Sequence, residues 1–128
     1  MESMITGGIQ IRVECSYQPT YSNPLEHKFI YAYRITIDNL GTATVQLLRR
    51  YWRIQESTGV VREVEGEGVI GRQPILKVGE SHQYVSWSHL FSGFGKMKGS
   101  YEMLNCDTGE KFSVAIPEFE LIAPFLLN

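Results

Sequence analysis

The chain has 128 residues, a length typical of one domain with its own hydrophobic core. Hydrophobic residues make up 43% of it, with seven Tyr, six Phe and two Trp, which excludes an intrinsically disordered chain. Twelve basic and 14 acidic residues give a net charge of -2, so no overall field attracts nucleic acid or a membrane surface.

The first two predicted strands have apolar residues at every second position. Residues 9–17 place one apolar row on a single face, and residues 29–37 repeat this pattern. Between them, two prolines and other turn-forming residues at 19–24 predict a long loop. Residues 38–41 predict the turn that follows the second strand.

The third predicted strand, from about Thr44 to Glu56, breaks this alternation. Two pairs of large residues are adjacent in it: Leu47 with Leu48, and Tyr51 with Trp52. Adjacent apolar residues indicate either burial on both faces or a β-bulge, and the pattern does not distinguish the two. A turn at residues 57–59 leads to a short fourth strand at 60–65.

The remaining strand signals are separated by turn residues. They lie at 75–78, 83–88, 99–104 and 112–116, and the last of them ends before Pro117. No segment keeps a helical period over about ten residues. The sequence therefore predicts one all-β domain, built as a sandwich or a barrel.

Neither terminal segment has the pattern of a membrane signal. Residues 1–8 lack the basic and apolar regions of a signal peptide, and the apolar stretch 121–127 is far shorter than the roughly 20 residues that span a bilayer. We therefore expect a cytoplasmic protein with no membrane contact. Stretch 121–127 is expected to pack on its own domain, with a homodimer contact as the alternative. In that compartment we expect free thiols, with Cys15 in the core and Cys106 at a hairpin tip.

Residues 66–71 match the pattern GxGxxG directly after a predicted strand. In dinucleotide-binding folds this pattern leads into a helix whose N-terminal amides receive a pyrophosphate. Here Pro74 and the strand signal at 75–78 leave no room for that helix, and Glu67 places a carboxylate within the loop. A connection between sheets remains, or an anion-binding loop. The candidate anion ligands are Gly66, Gly68, Gly71 and Arg72.

Residues 48–53 interleave three arginines with two aromatic side chains. Single-stranded nucleic acid is bound by surfaces of this composition. Arginines on the solvated face of a sheet beside buried aromatics are also common, and the total charge is acidic, so nucleic acid is not the expected partner.

The remaining polar motifs predict no catalytic centre. Asp107-Thr108-Gly109 spells the tripeptide of aspartic proteases, but it lies between two predicted strands, where these residues form a hairpin turn. In the pairs Ser81-His82 and Ser88-His89, neighbouring strand residues point to opposite faces, so neither pair provides a nucleophile with its base.

A metal site is likewise not predicted. The three histidines have no second ligand at metal-binding spacing beside them. Glu63 and Glu65 share one strand face and would hold a divalent cation only loosely. Protection of a sheet edge is the favoured role for these two carboxylates.

Several ordered motifs resemble the ApaG family. They lie at Phe29, at residues 37–41, 45–52, 66–76, 79–80 and 97–103, at Phe112 and at Ile116-Pro117. Because they extend over nearly the whole chain, residues 1–128 are identified as a single ApaG domain. The resemblance implies a fibronectin type III-like β-sandwich of two antiparallel sheets.

The resemblance also implies a class of function. Bacterial relatives are associated with cobalt resistance and magnesium efflux, and eukaryotic F-box and polymerase-interacting proteins carry the domain, where its expected role is to bind proteins. We therefore expect a non-catalytic interaction domain without a cofactor and with an unidentified protein partner. The expected partner surface is the C-terminal stretch or the four residues Arg50, Tyr51, Trp52 and Arg53.

A small-ligand protein is the alternative that the resemblance allows. The glycines of 66–71 match a family motif suspected of binding pyrophosphate. The ligand would be pyrophosphate, a nucleotide polyphosphate or a divalent cation, bound at this glycine-rich loop.

Overall fold

A computed structural model of the chain describes residues 1–126, and its regular structure is almost entirely β-strand. The strands are β1 (Glu2–Thr6), β2 (Ile9–Tyr17), β3 (Phe29–Asn39), β4 (Val45–Glu56), β5 (Val61–Glu67), β6 (Ile75–Leu76), β7 (Ser81–Leu90), β8 (Phe94–Asn105) and β9 (Lys111–Ile122). Three 3-10 helices of three residues each lie at Pro19–Tyr21, Pro24–Glu26 and Pro124–Leu126. None of the helices in residues 1–126 is long and apolar enough to cross a bilayer.

The strands form two antiparallel sheets. One has the order β1-β2-β3-β7, and the other has the order β5-β4-β8-β9, with β6 also paired to β4. The predicted all-β sandwich of two antiparallel sheets is confirmed, and the arrangement is consistent with a fibronectin type III-like fold. Every predicted strand is present, although β6 is shorter than expected and β7, β8 and β9 are longer.

The core lies between the sheets because alternate residues of the strands face inward. In β2, Ile9, Ile11 and Val13 are at most 2% exposed, and Ile11 pairs with the equally buried Ile37 of β3. The other sheet contributes Met103, which is fully buried in β8. The apolar rows predicted for the first two strands are therefore core rows over residues 9–13 and 29–37.

A β-bulge resolves the irregular pattern of the third predicted strand. The register of β4 against β8 shifts between Leu47 and Arg49, so Leu48 is an extra residue in β4. Before the bulge Leu47 is buried, and after it Trp52 and Ile54 are buried. The inward-facing positions therefore change from odd to even numbers at Leu48, and the bulge explains the adjacent apolar residues.

The last strand continues through Pro117, where the sequence pattern predicts an end. The register of β8 against β9 shifts between Met97 and Gly99, opposite Pro117 and Glu118. β9 is also the last strand of its sheet. A bulge on an edge strand tolerates a proline because no ladder hydrogen bond is required from its nitrogen.

The prediction that Cys15 is a core residue is wrong, because Cys15 is exposed. The pairing of β1 with β2 ends at Val13, so β1 does not extend past Cys15, which lies beside Phe119 at the margin of the sandwich. Partial desolvation still raises the pKa of the Cys15 thiol to about 11. Cys106 is exposed in the turn between β8 and β9, as predicted.

The C-terminal stretch packs back on the domain over its described part. The ring of Phe125 lies 6.0 Å from that of Tyr17 and 6.4 Å from that of Phe29. Leu127, the last residue of the predicted stretch, lies outside the described residues. A homodimer contact through this stretch stays a prediction.

A buried carboxylate joins three strands of the first sheet. Asp38 of β3 accepts hydrogen bonds from Arg12 of β2, at 2.8 Å from Nε, and from Ser81 of β7, at 2.5 Å from Oγ. Burial acts to raise the pKa of Asp38, but these hydrogen bonds and the charge of Arg12 outweigh it and lower the pKa below its ordinary value.

Asp38→Asn is expected to lower the free energy of unfolding at pH 7 by about 1 kcal/mol, because one acceptor of Arg12 is lost. A carboxylate with a lowered folded-state pKa adds stability above its unfolded-state pKa of about 4, and this stability is lost as the pH falls through the folded value. Urea unfolding at pH 7 and at pH 3 should therefore show a smaller difference from wild type at pH 3. The exposed Asp107→Asn is the control, and an Asp38→Asn difference that is equal at both pH values would contradict the role.

Candidate functional site

The four residues predicted to bind a partner alternate between the two faces of β4. Trp52 is 3% exposed, and its ring lies 5.4 Å from that of Tyr33 and 5.9 Å from that of Phe119. After the bulge, Arg50 shares this inner face, whereas Tyr51 and Arg53 lie on the outer face. The four residues therefore do not form one surface, and Trp52 is a core residue.

The glycine motif forms a tight hairpin between β5 and β6, both of which pair with β4. The N–H of Val69 donates to the carbonyl of Arg72 at 2.8 Å, and the N–H of Arg72 donates back at 3.0 Å. At the tip, Ile70 has φ of 48° and Gly71 has φ of 72°. Two successive positive φ angles are typical of a type I′ turn. The side chain of Arg72 is exposed on this hairpin.

The base of the hairpin is bound by Arg50. Its Nη1 donates to the carbonyl oxygens of Glu67, at 2.9 Å, and of Gly68, at 3.0 Å. Gly66 lies directly beside the guanidinium, where a Cβ would come within 2.8 Å of Nη2. The N–H of Gly68 donates to the carbonyl of Leu48 at 2.8 Å. The N–H groups of Gly68, Val69 and Arg72 thus all donate to backbone carbonyl oxygens. The binding of pyrophosphate or a cation at this loop stays a prediction.

A cleft of about 370 Å³ opens between the two sheets beside this hairpin. Arg50 and the hairpin residues 69–71 lie along it. The side chains that line the rest of it come from five strands: Tyr33, Trp52, Ile54, Val64, Glu67, Tyr84, Ser86, Ser88 and Met97. An apolar floor with a few hydroxyl groups, one guanidinium and one carboxylate is typical of a binding site.

The tyrosines of the cleft are neutral hydroxyl groups. Tyr84 forms a hydrogen bond with Tyr101 through the two hydroxyl oxygens. Burial raises the pKa of Tyr33, of Tyr84 and of Tyr101, and the positive charge of Arg50 opposes this shift only in part. At physiological pH these groups can donate and accept hydrogen bonds, but they do not act as bases.

Three buried polar atoms have no hydrogen-bond partner among residues 1–126, and one of them belongs to Ser88, which lines the cleft. They are Ser88 Oγ, Arg62 Nε and His89 Nε2. Arg62 reaches from β5 to β7, where its Nη2 donates to the carbonyl of His89 at 2.7 Å. Buried polar atoms in proteins nearly always have a hydrogen-bond partner. A polar group that enters the cleft beside Ser88 would supply the partner that its Oγ lacks.

Strand β7 forms the free edge of the four-stranded sheet beside the cleft. The other three edges carry features that deter pairing with another chain. β1 has only five residues, β5 carries four charged side chains, and β9 contains a bulge with Pro117. β7 has ten residues without Lys, Arg, Asp, Glu or Pro, and its register against β3 has no irregularity. Apart from the contact of Arg62 at its His89 end, it is the least protected edge among the described strands.

The exposed residues of β7 are also those whose backbone N–H and C=O groups point away from β3. The carbonyl of His89 points away from β3 toward Arg62. In an antiparallel pair the hydrogen-bonding direction alternates, so Gln83, Val85 and Trp87 direct their N–H and C=O groups to the same free side. Val85 is 46% exposed and Trp87 is 51% exposed. A second chain could pair with this edge without displacing any strand.

The other sequence-predicted candidates are not brought together. Glu63 and Glu65 are exposed on β5, and Asp107 lies in the turn between β8 and β9. Ser81 donates to Asp38. Within residues 1–126, no three His, Cys, Asp or Glu side chains converge on a possible metal position.

Comparison with known proteins identifies the protein family of this chain. The sequence model of the ApaG domain matches residues 19–105, about two thirds of the chain. The chain belongs to the ApaG domain family. Protein ApaG of Nitrosomonas europaea is 44% identical over 128 residues, which is 100% of both chains. Protein ApaG of Brucella abortus is 44% identical over 124 residues, covering 97% of this chain and 95% of the relative.

A solved structure has the same fold as this ApaG domain. The crystal structure of the putative ApaA protein from Bordetella pertussis superposes with a TM-score of 0.88 at 35% identity. The match covers 91% of this chain and 94% of that one. The family resemblance seen in the sequence motifs is therefore confirmed.

Proposed function

We propose that this ApaG domain is a non-catalytic protein-interaction domain, and that it binds a partner protein by pairing an extended segment of the partner with β7. The observation that carries this proposal is the exposed edge of β7, whose ten residues include no Lys, Arg, Asp or Glu and whose register against β3 is regular. Strand addition to an open sheet edge is a common mode of peptide recognition, in which the main-chain hydrogen bonds supply affinity.

The offset of the two sheets supports the same site. β1 and β2 both contact β9, whereas at the other side β5 makes its main contacts with β4. Val64 of β5 lines the cleft and is 41% exposed, although Trp52, its pairing partner on β4, is buried. A strand added to β7 would lie over Val64 and cover it.

A protein partner also fits the absence of a reactive centre among the residues of the cleft. Its tyrosines are neutral, Ser88 Oγ has no hydrogen-bond partner among residues 1–126, and the hydroxyl of Ser86 is hydrogen-bonded to Tyr33 rather than to a base. On this proposal, the association of the family with cobalt resistance and magnesium efflux arises through the partner, which the chain would meet in the cytoplasm.

Val85→Lys is expected to weaken peptide binding at least tenfold, because a lysine on an edge strand opposes pairing with another chain. The probes are 12-residue peptides selected from a random display library on the wild-type protein. Affinity is measured by calorimetry, and amide exchange of Val85 and Trp87 shows whether the backbone is engaged. The matched control is Val61→Lys on the edge strand β5, where Val61 is 40% exposed.

The result that supports strand addition is slower exchange of both amides on binding, with affinity lost in Val85→Lys and kept in Val61→Lys. Selected peptides that bind without protecting these amides would place the interaction elsewhere. A concentration-dependent dimer that Val85→Lys dissociates would instead make a second copy of this chain the occupant of the edge, and it would contradict a distinct partner.

A further inference from the structure

We infer that the segment added to β7 carries an acidic side chain that enters the cleft and pairs with Arg50. This inference rests on the proposed strand addition. It goes further because it states which partner sequences the domain selects.

The geometry of β7 brings alternate side chains of an added strand into the cleft. Tyr84, Ser86 and Ser88 are three consecutive inward-facing residues of β7, and all three line the cleft. Directly opposed residues in an antiparallel pair point to the same face of the sheet. The partner residues opposite these three positions therefore face Arg50 and Val64 across the opening.

Arg50 has donors left for such a residue. Both of its hydrogen bonds to the hairpin use Nη1, so Nε and Nη2 remain. None of the ion pairs among residues 1–126 includes Arg50, although Glu67 also lines the cleft. A half-buried guanidinium that has only carbonyl partners gains most from a carboxylate, which can accept two parallel hydrogen bonds from it.

Ser88 gives a second, independent reason to expect a polar group in the cleft. Ser88 is 7% exposed and lines the cleft, and its Oγ has no hydrogen-bond partner. An incoming carboxylate oxygen would accept a hydrogen bond from this hydroxyl group. An added strand with only apolar inward-facing residues would leave both Ser88 and Arg50 unsatisfied.

The same charge argument disfavours a second copy of this chain as the occupant. β7 contains no Asp or Glu, so an antiparallel β7–β7 pair would bring no carboxylate to Arg50. At the far end, the hydrogen bond from Arg62 to the His89 carbonyl occupies the edge. The accessible length is therefore about residues 81–88, which suits one short segment of a partner.

The first test is the sequence of the selected 12-residue peptides. Peptides that protect the Val85 and Trp87 amides should share an Asp or Glu at one position. Replacing that residue by its amide should weaken binding to the wild-type protein about tenfold, as expected for the loss of a charge-assisted pair.

A double-mutant cycle assigns the pair to Arg50. Against Arg50→Gln, the acidic peptide and its amide form should bind with similar affinity. Against Arg53→Gln on the outer face of the same strand, the tenfold difference should remain.

If Arg50→Gln does not fold, Ser88→Ala is the variant that tests the pairing. It removes a buried hydroxyl with no partner, so the melting temperature should not fall, while binding of the acidic peptide weakens several-fold.

The outcomes separate this inference from the proposed function. Peptides that protect both amides but share no acidic residue, or whose acid binds equally well to Arg50→Gln or Ser88→Ala, would overturn the pairing and leave strand addition intact. Absence of any peptide that protects these amides would overturn both.

Discussion

Trp52→Ala is expected to lower the free energy of unfolding by about 3–5 kcal/mol, the usual cost of truncating a large buried aromatic side chain. Trp52 is 3% exposed and packs between Tyr33 of one sheet and Phe119 of the other. Its removal leaves a cavity in the middle of the sandwich that neither sheet can fill without moving. Urea unfolding followed by far-ultraviolet circular dichroism measures this loss without depending on tryptophan fluorescence.

Trp87→Ala is the matched control, because it removes the other tryptophan of the chain from an exposed position. Trp87 is 51% exposed and contacts the exposed ring of Tyr21 at 5.3 Å. Its loss should change the free energy of unfolding by less than about 1 kcal/mol. Equal losses in the two variants would contradict the assignment of Trp52 to the core. Loss of partner binding in Trp52→Ala would be explained by unfolding of the domain. Loss of binding in the folded variant Trp87→Ala would instead show that the β7 surface is used.

The first two strands were predicted well because apolar residues alternate along them. Period two over residues 9–17 and 29–37 predicts both a strand and its buried face. Both strands are present, and the predicted face is buried over 9–13 and 29–37 but not at Cys15. β1 was not predicted because residues 2–5 are all exposed, so no apolar row marks an inner face. Its pairing to β2 depends on the tertiary structure rather than on local pattern.

The partner surface could not be predicted because one bulge changes the facing of every residue after it. Without the extra residue Leu48, Arg50 and Trp52 would lie on the outer face and Tyr51 on the inner one. The pattern allowed a bulge but did not place it. A bulge at Leu48 was the missing information, since it turns a predicted surface tryptophan into a core residue and directs Arg50 into the cleft.

The cleft was missed for a different reason. Its lining comes from β3, β4, β5, β7 and β8, which are adjacent in space but distant in sequence. The available signal was in β7, whose ten residues lack the charges found on the other edges. That absence becomes informative only when β7 is known to be an edge strand, and sheet order is not a local property of the sequence.

Gly68→Ala is expected to lower the free energy of unfolding by about 2–4 kcal/mol, since it adds a steric clash to an unfavourable backbone conformation. Gly68 has φ of +60°, and a Cβ there would clash with the carbonyl oxygen of Arg72, a backbone atom held by the hairpin. The control is Gly71→Ala at the tip, where φ is +72° but nothing lies within 4 Å of the added Cβ, so the free energy of unfolding should fall by only about 1–2 kcal/mol.

Urea unfolding of both variants decides between two roles for the glycine motif. If the glycines served mainly to admit a pyrophosphate, Gly68→Ala would reduce its binding in calorimetry and leave stability nearly unchanged. A loss of stability larger at Gly68 than at Gly71 shows that the motif closes a hairpin over Arg50, and it thereby connects the glycines to the cleft that this arginine lines.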